Sequence, residues 1–255
     1  MTKKRSSLDK AFDVLFSFRE DSRRLLNVQE ISEIVAIPQS SVYRYISKLC
    51  EKDLLQIDPS SKKYRLGMML FELGSIVYQQ MGIREVMIPF MKELYEETKE
   101  SVFLTILEKD HVVCIEKIES NSMLRISVKR GDVMPLHAGA SAKILMAYLP
   151  EAEQDKFIRK GRLDKFTSHT ITEPKRLKKH LREICLKGYA FSNQELQEGA
   201  RAIAAPIRDI SGHVIAGLCI AGPMHRFQSH QIERYKKIIM DVSTKASHSL
   251  GLTRK

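Results

Sequence analysis

The sequence has no tryptophan, only four cysteines, and no apolar run near the roughly 18 residues that cross a bilayer. The cysteines (Cys50, Cys114, Cys185 and Cys219) stand far apart and form no CxxC pair. A disulfide framework or a clustered zinc site is therefore not expected, and the four read as reduced, mostly core residues. The opening MTKKRSSLDK leads into no signal-type apolar block, so a cytoplasmic protein with no membrane partner is expected. GxSxG, HExxH, a phosphate loop and a credible Cys–His pair are all missing. The chain is accordingly read as no enzyme, with no cofactor and no bound metal. Internal repeats and low-complexity tracts are missing too.

What remains is the composition of a globular protein: 255 residues, 43% apolar and 29% charged. That length holds one large domain or two ordinary ones. A net charge of +11 suits a polyanionic partner. Residues 1–65 carry thirteen basic against nine acidic side chains, so most of the excess lies further on and charge alone does not place a nucleic-acid site.

Asp9–Arg19 carries Ala11, Phe12, Leu15, Phe16 and Phe18, the stripe of a three-turn helix. A polar break at Glu20–Arg24 separates it from a second helix over Val28–Val35, with Ile31, Ile34 and Val35 inward. Ala36-Ile37-Pro38 makes a tight connection, and a third helix runs from Gln39 or Ser40 to about Cys50. Within it Val42, Ile46 and Leu49 share a face, while Ser40, Ser41, Arg44, Ser47 and Lys48 occupy the other. Of Tyr43 and Tyr45, one is expected to support the core and the other to reach a phosphate.

Two short strands, Leu54–Ile57 and Lys63–Leu66, flank the turn Asp58-Pro59-Ser60-Ser61-Lys62. Alone, Arg44 and Lys48 would pass for a solvated face. Three helices followed by a basic-tipped hairpin instead describe a winged helix-turn-helix, an arrangement that fits double-stranded DNA. Its third helix enters the major groove, presenting Gln39, Ser40, Ser41, Tyr43, Arg44, Ser47 and Lys48. Lys62, Lys63 and Arg65 then reach the backbone or the neighbouring minor groove.

GMMLFELGSIVY (67–78) is almost wholly apolar apart from Glu72. Its stripe of Met69, Leu70, Leu73, Ile76 and Val77 is too wide for a monomer's surface helix, which predicts a homodimer through this segment; packing on the chain's own second domain is the alternative. From Arg84 the pattern turns to mixed α and β. Val86–Glu97 is an amphipathic helix; Val102–Leu107, His111–Lys117 and Leu124–Val128 read as strands; 131–135 is a loop. A helix over 142–148 follows, then one over 173–187 stopping at Gly188. Strands at 189–192, 202–208 and 214–221 and a last helix from Ser229 complete an α+β sensor-like domain.

In that order the pieces resemble the IclR family of bacterial transcriptional regulators over about 240 residues. SSLDKAFDVL, EISEIVAIPQSSVYRYISKL and YRLGMMLFELG carry the likeness in the first half, and MPLHAGASAKILMAYL and GYAFSNQELQEGARAIAAPIRD in the second. Gly188, Ser192, Glu195 and Ala202-Ile203-Ala204 fall at the family's signature spacing. Arg208 stands where the family usually has an aromatic or histidine, and Ala36 replaces the glycine common before the proline.

The resemblance implies a winged helix-turn-helix (1–66), a dimerising linker helix (67–83) and a GAF-like α/β effector-binding domain (84–255). It further implies a dimeric or tetrameric regulator, here read as a repressor, whose operator binding responds to a small-molecule effector such as an organic acid. By position, the effector site comprises Ala140, Ser141, Ser192, Ala200, Ala202, Cys219 and Ala221. Some relatives carry an acid at Ser192. A helix starting at Ala140-Ser141 offers free N–H groups to an anion. The alanines either leave room for a ligand or permit close helix–sheet packing. His137 is read either as a ligand group or as a cap on its loop, and Glu195 and Glu198 as structural or gating residues.

Overall fold

Ser6 accepts a hydrogen bond from the Asp9 amide while the Asp9 carboxylate accepts from the Ser6 amide, a reciprocal cap that starts α1 (Ser7–Phe16). Asn27 and Glu30 repeat the device at α2 (Val28–Val35). The computed structural model describes residues 6–18, 25–80, 82–160 and 163–251, with the backbone alone at 75 and 77–80. The polar break at Glu20–Arg24, the first helix's end at Arg19 and the side chain of Val77 lie outside the described residues. The chain divides into two compact units, Met1–Met81 and Gly82–Lys255.

In the first unit α2 ends at Ala36, held at φ 53° and ψ 49°. The chain turns through Ile37-Pro38 into α3 (Gln39–Cys50). Val14, Leu15, Phe18, Ile31, Val35, Val42, Ile46 and Leu49 bury one core between the three helices. Three residues expected inward point out instead: Phe12, Phe16 and Ile34 are exposed. Val14, Leu15 and Phe18 fill the inner side of the first helical segment, so Phe12 and Phe16 stack on each other outside it, ring centres 5.9 Å apart.

β1 (Leu55–Ile57) and β2 (Tyr64–Leu66) pair antiparallel as the wing, with Leu26 bridging to Tyr64. Asp58 folds the tip, its Oδ1 accepting from the amides and hydroxyls of Ser60 and Ser61. Gly67 lets the wing turn into α4 (Met68–Gln80), because a Cβ there would stand 1.9 Å from the Asp53 carbonyl oxygen.

The second unit opens with α5 (Gly82–Thr98) and is built on a six-stranded antiparallel sheet. Its strands are β3 (Ser101–Glu108), β4 (His111–Ile118), β5 (Val133–Pro135), β6 (Ala190–Asn193), β7 (Ala200–Arg208) and β8 (Val214–Pro223), in the order β5-β4-β3-β8-β7-β6. α5 and α9 (Ser229–Ser249) pack together on the sheet. α6 (Ala140–Ala147) and α8 (Pro174–Lys187) pack together over a core that includes Phe103, Cys114, Ala204, Cys219 and Ala221. α8 stops at Gly188, in the left-handed region at φ 74°.

Two local expectations need correction. Leu124–Val128, whose alternation predicts a strand, has no strand structure, and Met123 and Leu124 are exposed. β5 takes the place beside β4, pairing Val133 with Val113, within the stretch expected to be a loop. A further helix, α7 (Glu151–Lys160), is not legible in the sequence, since it buries little besides Ile158. Among the described residues no helix is long and apolar enough to cross a membrane.

Candidate nucleic-acid interface and ligand cavity

On α3, Val42, Tyr45, Ile46 and Leu49 are buried. Gln39, Ser40, Tyr43, Arg44, Ser47 and Lys48 are exposed, and Ser41 is half-buried. The two tyrosines thus divide: Tyr45 joins the core and Tyr43, 62% exposed, belongs to the outer face. The Arg44 guanidinium lies 5.3 Å from the Tyr45 ring centre and donates to its hydroxyl at 3.4 Å. That hydrogen bond lowers the Tyr45 phenol below its ordinary pKa. α3 has no side-chain cap and no acidic residue in its first turn, so its leading amides and positive dipole end are open to a phosphate.

The basic residues around this face are not equivalent. Lys48 is paired with Glu51 at 2.9 Å and Lys63 with Glu30 at 3.2 Å. Lys62, at φ 57° on the wing tip, and Arg65 are exposed and have no ion pair among the described residues.

In the second unit the sheet register assembles the other site. Ser192 lies opposite Ala202, and Ala202 opposite Ala221; one row along, Ala204 faces Cys219 and Cys219 faces Phe103. Because side chains alternate along a strand, Ala200, Ala202, Cys219 and Ala221 project to one face. Gly139 precedes the first turn of α6 at φ 85°, and a Cβ there would meet Leu196 Cδ1 at 2.6 Å. The result is a cavity of about 300 Å³ whose wall contains all seven expected residues: Ala140, Ser141, Ser192, Ala200, Ala202, Cys219 and Ala221.

Other wall residues escape a reading of the sequence. Phe103, Ile126, Val128, Leu196 and Arg201 line the cavity, the second and third from the stretch expected to be a strand. Of the alternate apolar positions 124, 126 and 128, only the last two turn toward the cavity, and from a loop. Burial pushes the Cys219 and Cys114 thiols up to about 12, leaving both as neutral small apolar groups. Cys185 is exposed and Cys50 half-buried, so the expected core role fits only two of the four.

Beside this cavity α6 buries Lys143 completely. Its ammonium is ion-paired with Glu195 Oε1 and donates to His180 Nε2 at 2.9 Å. Burial lowers the Lys143 pKa, with Glu195 opposing. Burial and the Lys143 charge together bring His180 down to about 4. Glu195 also lines the cavity wall, whereas Glu198 is exposed and outside it. His137 stands outside the wall as well, buried, with Nε2 3.0 Å from the Asp164 carbonyl and its ring against Phe166. No group of three His, Cys, Asp or Glu side chains among the described residues could hold a metal ion.

Comparison with known proteins adds to this geometry. The model of the IclR helix-turn-helix domain matches residues 7–59, and that of the bacterial transcriptional regulator IclR C-terminal domain matches residues 76–248. The chain is 32% identical to the HTH-type transcriptional regulator KdgR of Escherichia coli, covering 96% of this chain and 93% of that one. It is similar to the crystal structure of the Thermotoga maritima IclR, with a TM-score of 0.76, 30% identity and coverage of 96% and 98%. It is also similar to an IclR homolog from Microbacterium hydrocarbonoxydans complexed with 4-hydroxybenzoate, with a TM-score of 0.81, 26% identity and coverage of 96% and 99%.

Proposed function

The chain belongs to the IclR family of bacterial transcriptional regulators, and from that premise we propose that it represses transcription in the cytoplasm until a small organic acid releases it from its operator. One observation carries the reading. Seven residues from four separate elements meet at one cavity that opens on the first turn of α6, where free amides favour a carboxylate. The volume lies at the small end of the range for ligand pockets, about 300–1,000 Å³. The Microbacterium neighbour's 4-hydroxybenzoate is an acid of suitable size.

DNA recognition is assigned to the outer face of α3 (Gln39, Ser40, Ser41, Tyr43, Arg44, Ser47 and Lys48), with Lys62, Lys63 and Arg65 of the wing on the backbone. The division 1–66, 67–83 and 84–255 describes reader, coupling helix and sensor. Dimerisation is supported by exposed apolar side chains: Leu8, Phe12 and Phe16, four residues apart on α1, and Phe71, Leu73 and Ile76 on α4, whereas Leu70 of the expected stripe packs on the three-helix core. A second copy of the chain covers such a face, and a two-fold pair of winged helices matches two operator half-sites.

The test titrates a panel of carboxylates, 4-hydroxybenzoate among them, into protein bound to fluorescent operator. The effector should change operator affinity by roughly 5–150-fold. Ala202→Leu, which fills the cavity, should abolish the response while leaving ligand-free DNA binding intact. A full response in Ala202→Leu would contradict the assignment of this cavity.

A further inference from the structure

A second cavity, of about 410 Å³, shares Glu195 with the first. Arg176, Lys179 and His180 of α8, His169 from the segment before it and Asn193 of β6 form much of its remaining wall. Arg176 and Lys179 are exposed, and neither has an acceptor among the described residues. Glu183, also in the wall, is already paired with Lys187. Because the Lys143 ammonium donates to His180 Nε2, the neutral ring keeps its proton on Nδ1 and remains a donor there. Besides Glu183, one further carboxylate stands against these donors. Glu195 is 5% exposed; its Oε1 serves Lys143, and its Oε2 is buried with no hydrogen-bond partner among the described residues.

A buried acceptor without a donor is costly, and so is a concentration of unpaired cations. One kind of ligand relieves both. We propose that this cavity binds a small phosphate-type oxyanion that carries its own hydrogen-bond donor, with the anionic oxygens on Arg176 and Lys179 and the donor on Glu195 Oε2. Hydrogen phosphate supplies the donor as P–OH; a hydroxylated phosphate ester supplies it from a neighbouring hydroxyl. Sulfate, which has no proton at neutral pH, would meet the Glu195 carboxylate with a bare oxygen. The site is therefore selective for the donor as well as for the charge. Arg176 also adds to the positive field that lowers both Lys143 and His180, a repulsion that a bound anion offsets.

The full-length protein is melted in rising inorganic phosphate, sulfate or glycerol 3-phosphate, each at matched ionic strength. Sulfate measures the general stabilisation that both salts share. Phosphate should raise Tm saturably above the sulfate curve, with an apparent affinity roughly tenfold higher or more. R176A/K179A, confined to exposed side chains, should remove that excess. E195Q keeps a carbonyl for Lys143 and places an N–H₂ where Oε2 stood, so it should erase or reverse the preference for phosphate over sulfate. Stronger stabilisation by glycerol 3-phosphate than by phosphate marks an ester as the ligand; the opposite order marks the free anion. Coincident phosphate and sulfate curves in the wild type would overturn the proposal, as would an excess that persists in R176A/K179A. Should E195Q fail to fold, the comparison of wild type with R176A/K179A decides alone.

Discussion

Arg44 is held over Tyr45 at the edge of the reading face rather than left free, so its removal takes away an oriented group. Arg44→Ala should cost about 1–3 kcal/mol of operator binding and relax specificity, with effector affinity and oligomeric state unchanged. The wing cations should differ among themselves. Lys62→Ala and Arg65→Ala should each reduce the slope of log affinity against log salt by about one, whereas Lys63, held by Glu30, should change it less. Salt titration of binding separates them. Lys143 is a different case: Lys143→Met leaves the Glu195 carboxylate buried and should cost about 3–5 kcal/mol, while Met at both 143 and 195 should recover most of it. Chemical denaturation measures both. His180 adds a pH dependence of known sign. The folded state holds the ring neutral down to about 4, and the unfolded chain protonates it below about 6.5. Its contribution is complete above about 6.5 and is lost as pH falls toward 4, with a ceiling of about 3 kcal/mol that the ring's partial exposure reduces, and the difference between wild type and His180→Gln isolates it. Lys143 sits in the apolar run AKILMAYL and its partner Glu195 lies 52 residues away, so no local pattern announces its burial.

Elements are legible where a period or a cap is local. α1, α2, α3 and the wing follow from apolar spacing, the Pro38 corner and the Asp58 turn chemistry, all within a few residues of one another. Leu124–Val128 shows the limit. Its alternation is real, but a strand needs a neighbour, and β5 holds the position beside β4; Ile126 and Val128 instead close over the cavity. The cavity likewise depends on cross-strand register between β6, β7 and β8, which no single segment encodes, so its seven residues are reached through family resemblance rather than through pattern. Ala36 joins the two kinds of reading. The family's usual glycine fits the left-handed φ of 53° at which α2 ends, and an alanine there is strained. Ala36→Gly should therefore raise the stability of the first unit by about 0.5–1 kcal/mol, read as an upward shift of its melting transition.

At the scale of the molecule, a helix-turn-helix unit and an effector-binding unit share one chain, and the proposed function pairs two such chains. Exposed Phe12, Phe16, Phe71, Leu73 and Ile76 are unusual on a monomer's surface. Leu73→Asp with Ile76→Asp should shift the protein toward monomer in light scattering and weaken operator binding by roughly tenfold or more, since the two half-sites are no longer bound as a unit. The central claim is that α3 reads DNA sequence. Its most direct test is to recover the DNA bound in cells by genome-wide mapping. Wild type and Arg44→Ala are then measured by fluorescence anisotropy on that DNA and on its shuffled sequence at one physiological salt concentration. The wild type should prefer the recovered sequence by roughly 10³-fold or more, and Arg44→Ala should lose much of that preference. Equal affinity for recovered and shuffled DNA, or an Arg44→Ala variant with the full preference, would contradict the claim.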